Sequence, residues 1–440
     1  MNKQTDFSPT AGNLVVSAKT EFRDRQANEP EWLYSFRKEG WMRYNEMPLP
    51  GRVTNLWRYS DPRLFLVKSD SDLMNLPLGD DRNERGDAEE IDPELAGYGR
   101  NFADRSSIFI LQPQYRRLGI VFSELSRVAL TNPHLVDEYL GRLVGADFGK
   151  FEAFNAAVWN VGAFVFIPDN VIIDKPFYIL RHPAGPATVT RLLVVIGKNS
   201  EATIIDDYNC HCRHEGEILN NVVELFAGPN AAVNYVQVQR LGPEARIHTT
   251  ERLALDSEAR GRSIFVSVGG HAAKINAGTV LQGKGAESRI YGIAFADSDQ
   301  KFDHHTYHHH RAPNTYSDID FKVMLKQKAA SAYTGLIRIE RDAPNCEAYQ
   351  ENRNLLLNEG TKAESIPELE ILNDQVRCTH GATMGPVDPE MIFYLRSRGY
   401  SERQAVSSIV HGFVEPTLSK MQANIANVAR ELIYHKMQEG

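Results

Sequence analysis

Hydrophobic and polar positions follow two different rhythms along this chain. From Thr10 to about Glu46 apolar residues recur at helical spacing, first Leu14, Val15, Ala18 and Phe22, then Trp32, Phe36 and Trp41. Pro30 suits the first turn of the second helix, and Pro48-Leu49-Pro50-Gly51 stops it. Residues 68–106 hold few large apolar side chains and a charged run from Gly79 to Asp87, which predicts a solvated, flexible surface segment. Phe122 to Val144 returns to a helical pattern, with Thr131-Asn132-Pro133 opening its second half.

From about Phe164 to about Val376 the rhythm becomes that of strands. Runs such as Leu192-Leu193-Val194-Val195-Ile196 and Ile264-Phe265-Val266-Ser267-Val268 are β-branched or aromatic and are broken by Gly, Asn and Asp. A weak repeat runs through them: a small polar turn, then Ala or Ser, then an alternating strand. It recurs at Gly197-Lys198-Asn199, Gly228-Pro229-Asn230, Asp256-Ser257-Glu258 and Gly283-Lys284-Gly285. The period of about 27–30 residues is that of a solenoid. A sandwich would space its turns more closely, at about 8–12 residues. The pattern predicts a β-helix spanning residues 151–385.

The tail is helical again. Asp388-Pro389-Glu390 is a capping aspartate followed by Pro and an acid, Gly399 ends that helix, and Ser401-Glu402-Arg403-Gln404 is a capping-box start. A third helix is expected from Pro416 to about Gln438, with Leu418, Met421, Ile425, Val428, Leu432 and Ile433 on one face. The expected organisation is thus an N-terminal helical region (1–150), the β-helix (151–385) and a C-terminal helical domain (386–440).

Composition narrows the functional classes. The chain has 440 residues, 42% of them hydrophobic, which suits a folded protein rather than a disordered one. A net charge of −8 argues against a general nucleic-acid binder. No stretch approaches the roughly 20 apolar residues of a membrane span, and the polar start lacks a secretory core. Four cysteines in so long a chain do not make a disulfide framework, so a reducing cytoplasm is expected.

Three clusters carry candidate chemistry. Asp303 to His310 holds five histidines; on a strand His304, His308 and His310 face one way and His305 and His309 the other. Imidazoles on one face can bind transition metals, but hydrogen bonding and packing are the favoured reading of this strand, because no carboxylate or cysteine completes an obvious ligand set nearby. Cys210, Cys212 and His214 alternate likewise, but zinc sites space their cysteines wider. Cys378 and His380 are the third pair, again i and i+2, with Cys346 upstream. A protein that keeps an iron–sulfur cluster usually commits four cysteines, so scattered thiols suit a transient or shared one. No Gly-x-x-x-x-Gly-Lys-Ser/Thr loop exists, so nucleotide hydrolysis by such a loop is excluded.

The third pair sits in a longer ordered block: Asn352-Arg353-Asn354-Leu355-Leu356-Leu357, Ser365-Ile366-Pro367-Glu368-Leu369-Glu370-Ile371, Val376-Arg377-Cys378-Thr379-His380-Gly381-Ala382-Thr383 and Ile392-Phe393-Tyr394-Leu395-Arg396-Ser397-Arg398-Gly399. This block closely resembles the SufB/SufD family of iron–sulfur cluster assembly scaffolds. Weaker similarity at Trp57-Arg58-Tyr59 and Asn155-Ala156-Ala157 extends the match over nearly the whole chain. The resemblance implies a right-handed parallel β-helix with helical ends, and a non-catalytic role in a complex of SufB, SufD and two copies of the ATPase SufC. It implies that the β-helices pair and that SufC docks on the C-terminal helices, where Phe393, Tyr394, Arg396, Arg398 and Gly399 lie. The length and the Cys-x-His-Gly-Ala-Thr form resemble SufD, in which the histidine corresponding to His380 faces a SufB cysteine. His380, with Cys378 beside it, is then expected to help hold a transient cluster or iron at the shared interface. His305, His308, His310, Cys210 and Cys212 remain secondary metal candidates. A SufB-like homodimeric scaffold and a polysaccharide-acting β-helix enzyme are the alternatives.

Overall fold

The structure, a computed structural model, describes residues 29–67, 92–102, 107–210 and 217–438. The helix expected around Leu14 to Phe22, the acidic segment up to residue 91, and Cys212 and His214 lie outside the described residues.

Three strands precede the coils: β1 (Gly97–Phe102), β2 (Ile108–Leu111) and β3 (Val121–Ser123). The coils comprise β4 (Val161–Ile167), β5 (Phe177–His182), β6 (Ala187–Ile196), β7 (Glu201–Cys210), β8 (Ile218–Ala227), β9 (Ala232–Leu241), β10 (Arg246–Leu255), β11 (Arg260–Ser267), β12 (Ala272–Leu281), β13 (Glu287–Ala296), β14 (Lys301–His310), β15 (Tyr316–Leu325), β16 (Ala330–Ile339), β17 (Glu347–Leu356), β18 (Lys362–Ile371) and β19 (Arg377–Pro386). Consecutive coil strands alternate between two sheets. One runs β19-β17-β15-β13-β11-β9-β7-β5-β1-β2, the other β18-β16-β14-β12-β10-β8-β6-β4-β3. The result is a parallel β-solenoid of about 8 turns. Paired residues in successive coils lie between 26 positions apart, as in Arg246 and Ala272, and 32 apart, as in Ala330 and Lys362. The period expected from the turn motif is that coil length.

The turn motif has a physical cause. Asn170, Asn199, Asn230, Glu258, Ser298, Asn314, Gln327 and Asn345 all take positive φ, between 54° and 62°. Asn tolerates that left-handed conformation better than most residues. Its side chains also link the coils: Asn199 donates to Asn170 at 2.8 Å, Asn230 to Asn199 at 3.0 Å and Asn345 to Asn314 at 3.2 Å. The residue after the turn is small and buried, as at Ser200, Ala231, Ala259 and Ala329. Cys346 occupies the same place after Asn345 and is fully buried. Its thiol lies 3.0 Å from the Thr315 hydroxyl and 3.2 Å from the Ala343 carbonyl.

Alternate strand residues fill the interior. Ile204, Tyr235, Ile290, Ile319, Phe265 and Phe321 belong to one continuous core. Buried ions inside it are paired: Arg181 meets Asp206 at 2.6 Å, and Tyr208 donates to the same carboxylate at 2.7 Å. Leaving either charge without its partner would cost several kcal/mol, which is why the pair stays together.

Helices flank the coils: α1 (Glu31–Glu46), α2 (Pro113–Arg116), α3 (Leu125–Thr131), α4 (Lys150–Val158), α5 (Pro389–Ser397), α6 (Glu402–Leu418) and α7 (Ala423–Gln438). Val410, Val414, Leu418, Ile425, Ala429 and Ile433 of α6 and α7 pack on Val236, Ile264, Ile293 and Phe295 of the first sheet. Burying such an aliphatic side chain contributes ~1.5–3 kcal/mol, so this face anchors the C-terminal region. The Asp388 cap and the Ser401–Gln404 capping box are both present.

Four expectations need correction. The N-terminal region is not all helical, because β1 and β2 extend the first sheet and β3 pairs antiparallel with β4. The helix expected over Phe122 to Val144 shrinks to α3 and a 3-10 turn at Pro133–Leu135. The buried Glu224 carboxylate explains this. It accepts backbone N–H groups from Gly141, Leu143 and Val144 at 2.9–3.1 Å and so holds the segment as a loop. Pro30 stands before α1 rather than in its first turn. The last helix does not start at Pro416, which lies inside α6; Thr417 and Lys420 bind Asp320 at 2.9 and 2.8 Å and pin the break between α6 and α7 to the solenoid.

Coil packing leaves little slack at Gly283. A Cβ there would meet the Ser257 backbone nitrogen at 1.9 Å, whereas one at Gly51 meets nothing within 4 Å. Gly283→Ala is therefore expected to destabilise the fold by ~1–3 kcal/mol in denaturant titrations, and Gly51→Ala to leave the midpoint nearly unchanged.

Candidate functional site at the open end of the solenoid

The two ends of the solenoid differ. At the first end β2 and β3 run antiparallel to their neighbours; they are edge strands too, but short, and they hold the buried side chains of Leu111 and Phe122. At the other, β18 and β19 each have a sheet neighbour on one side only among the described residues. Such edges leave one row of backbone N–H and C=O groups without a ladder partner. Both strands are 10 residues long, and none of their residues is fully buried. Met384 on β19 and Leu372 just after β18 are half exposed.

Cys378 and His380 lie on β19. Register assigns their direction: Cys378 pairs with Ala348, and His380 with Gln350. Ala348 and Gln350 are both buried interior positions, so the thiol and the imidazole share the interior-facing side of the last coil. His380 is exposed and Cys378 half-buried. Cys378 packs with Cys346. Burial, and secondarily the neighbouring Cys346, pushes the Cys378 thiol up to about 11, so it is protonated at neutral pH. Both cysteines are free thiols. Among the described residues no three His, Cys, Asp or Glu side chains converge as a metal site. Cys378 and His380 offer two donors on one face, and among the described residues no third His, Cys, Asp or Glu converges with them.

The histidine strand β14 is arranged as its alternation predicts, but it does not gather a ligand set. His304, His308 and His310 point inward. His304 lies 3.2 Å from the Ser267 hydroxyl and His308 2.8 Å from that of Ser288. His310 is held between Thr315 at 2.7 Å and Ser317 at 2.9 Å. His305 faces the other way, against Asp303 at 3.0 Å, beside Lys274 at 2.9 Å from the same carboxylate. His305 is thus on the opposite side of the strand from His308 and His310. Cys210 ends β7, and Cys212 lies outside the described residues.

The helix proposed for docking stands away from the core. No residue of α5 is buried. Phe393 is 74% and Tyr394 56% exposed, with Met391 beside them. Arg398 lies over the Tyr394 ring at 5.3 Å, and Arg396 reaches Glu402 at 3.4 Å. Gly399 ends the helix at φ +94°. A further residue, Gln350, was not singled out from the sequence. Its signal was the coil length: it precedes His380 by one coil.

The chain is thus a parallel β-solenoid with a thiol and an imidazole on the exposed edge strand of its last coil. The family model for the SUF system FeS cluster assembly SufBD core domain matches residues 178–413, and that for the SufBD N-terminal region matches residues 109–179. The chain belongs to the SufBD family of iron–sulfur cluster assembly proteins. It is 26% identical over 421 residues to an iron-sulfur cluster assembly SufBD family protein of Staphylococcus aureus (strain MRSA252), covering 93% of this chain and 90% of that one. A relative of the same description from Staphylococcus haemolyticus (strain JCSC1435) is also 26% identical, over 424 residues, with 94% and 91% covered. No described helix is long and apolar enough to cross a membrane.

The interior histidines make a prediction about pH. Burial above all holds His304 neutral, down to about 3 from an ordinary 6.5, and His248, also buried, down to about 4. Between those values and 6.5 the unfolded chain binds protons that the folded chain does not. Stability is therefore full above about 6.5 and falls as pH drops, by at most ~1.4 kcal/mol per pH unit for each such histidine. Denaturation midpoints measured from neutral pH down to about pH 4 should show this slope, and His304→Phe should make it shallower.

Proposed function

We propose that this chain is a SufD-type, non-catalytic scaffold subunit that pairs through its open solenoid end with a SufB-type paralogue. The observation that carries this reading is the placement of Cys378 and His380 on an edge strand whose outer side has no partner among the described residues. A second solenoid end set against β18 and β19 would satisfy their backbone groups and bring its own ligands to His380. An iron atom or nascent cluster would then be cargo held by both chains. Incomplete ligation from either side suits a scaffold, because cargo must leave as well as form.

The exposed aromatic and basic face of α5, built from Phe393, Tyr394, Arg396 and Arg398, is the proposed docking place of a SufC-type ATPase. Aromatic and arginine side chains concentrate binding energy at interfaces. Free thiols at Cys346 and Cys378 are consistent with work in a reducing cytoplasm.

Two variants test this reading. His380→Ala changes an exposed side chain, so the complex with the paralogue and ATPase should assemble as before. The rate of anaerobic cluster formation, followed by visible absorption, should fall ~10-fold or more. Unimpaired assembly removes His380 from the site, and cluster formation on the lone chain would favour a homodimeric scaffold instead. Phe393→Asp should abolish capture of the ATPase without lowering the melting temperature, and retained capture would move the docking face elsewhere.

A further inference from the structure

Beneath His380, one coil back, lies Gln350. The two are in-register partners on adjacent parallel strands, whose backbones run ~4.8 Å apart. Gln350 is 3% exposed. Its amide group is held from behind: Nε2 donates to the Gly335 carbonyl at 3.2 Å. Space for that grip exists because residue 335 has no side chain. A Cβ there would meet Gln350 Nε2 at 2.2 Å and the Tyr333 hydroxyl at 2.7 Å. With the nitrogen fixed, the other amide atom has one role left. Gln350 Oε1 is buried and has no hydrogen-bond partner. A buried acceptor left unmatched is costly, so one on the residue in register with an exposed histidine invites that histidine's N–H as its donor.

We propose that Gln350 is a positioning residue for His380: its Oε1 accepts the ring N–H, fixes the tautomer, and leaves the second nitrogen with its lone pair directed to the open end. Histidines that ligate metals commonly donate their other N–H to an oxygen in this way, which sets ring orientation and raises ligand basicity. The tautomer follows from the hydrogen bond made by the opposite nitrogen. Gly335 acts one step further back: its carbonyl holds Nε2, so the oxygen is the amide atom left free to accept. This inference rests on the reading of His380 as a donor to cargo, but its test does not use cargo at all.

The test is heteronuclear NMR of the full chain carrying labelled histidine, at about pH 8, where an ordinary imidazole is neutral. His380→Asn assigns the signal. The ratio of the two tautomers at His380 is expected to change ~5-fold or more in Gln350→Leu. Gly335→Ala should reproduce the Gln350→Leu spectrum by displacing the amide. Melting curves check that each variant is folded. A His380 spectrum matching a free imidazole in the unaltered chain overturns the proposal whatever the variants do, and so does a ratio unmoved by Gln350→Leu. Loss of cluster assembly in His380→Ala together with an unmoved ratio would keep the site and discard Gln350. The reverse pair of results would keep the hydrogen bond and discard the site.

Discussion

Everything in this molecule depends on one coil lying in register on the next. In-register parallel pairing satisfies the backbone of each strand from both sides, and it stacks side chains into rows along the axis. The rows decide burial, because a residue's inward or outward direction is shared by its partners above and below. They also impose an ending. A stack of coils is finished only where something other than another coil covers it. Here the coils end on one side in short antiparallel β2 and β3, and on the other in two full-length parallel edge strands, β18 and β19, with no buried residue. The candidate site lies where the repeat stops, on the last rung of the rows that build the interior.

The interior itself is more polar than a stack of aliphatic rungs requires. Asp206, Arg181, Tyr208, Ser263, Glu251, His304, His308 and His310 are all buried. Several find partners on a neighbouring coil, such as Asp206 with Arg181 at 2.6 Å, and others across the same coil, such as Ser263 with Glu251 at 2.7 Å. Such groups weaken the hydrophobic term but penalise any slip of register, since a one-residue shift would separate each donor from its acceptor. Glu251 shows the tension: burial raises its carboxyl to about 7, against the hydrogen bonds from Ser263 and Gly278. Fixed register matters most at the last coil, where it aligns Cys378 over Ala348 and His380 over Gln350.

Much of this was legible from the residues. The turn motif around Asn199 and Asn230 disclosed the coil period because a left-handed corner favours Asn and a small residue must follow it. The Cys378-x-His380 pair could be placed on one strand face by alternation alone, and the caps at Asp388 and Ser401 marked helix starts that the structure contains. What was not legible depended on partners distant in sequence. Glu224 turns Gly141 to Val144 into a loop from some 80 positions away, and no local pattern announces that. Asp320 sets the break between α6 and α7 from the solenoid wall. The histidine strand looked like a ligand face because alternation gives direction but not company. Its inward imidazoles meet Ser267, Ser288, Thr315 and Ser317, and those hydroxyls belong to other coils and turns.

The central claim is that His380 contributes a ligand from this chain to cargo held at a shared end. Pulsed electron paramagnetic resonance tests it most directly. The complex would be assembled from this chain carrying 15N-histidine and an unlabelled SufB-type partner, then loaded with a cluster and reduced. The account predicts a strong 15N hyperfine coupling to the cluster that disappears in His380→Ala. A cluster showing no 15N coupling from this chain, or one whose coupling survives that substitution, would contradict it.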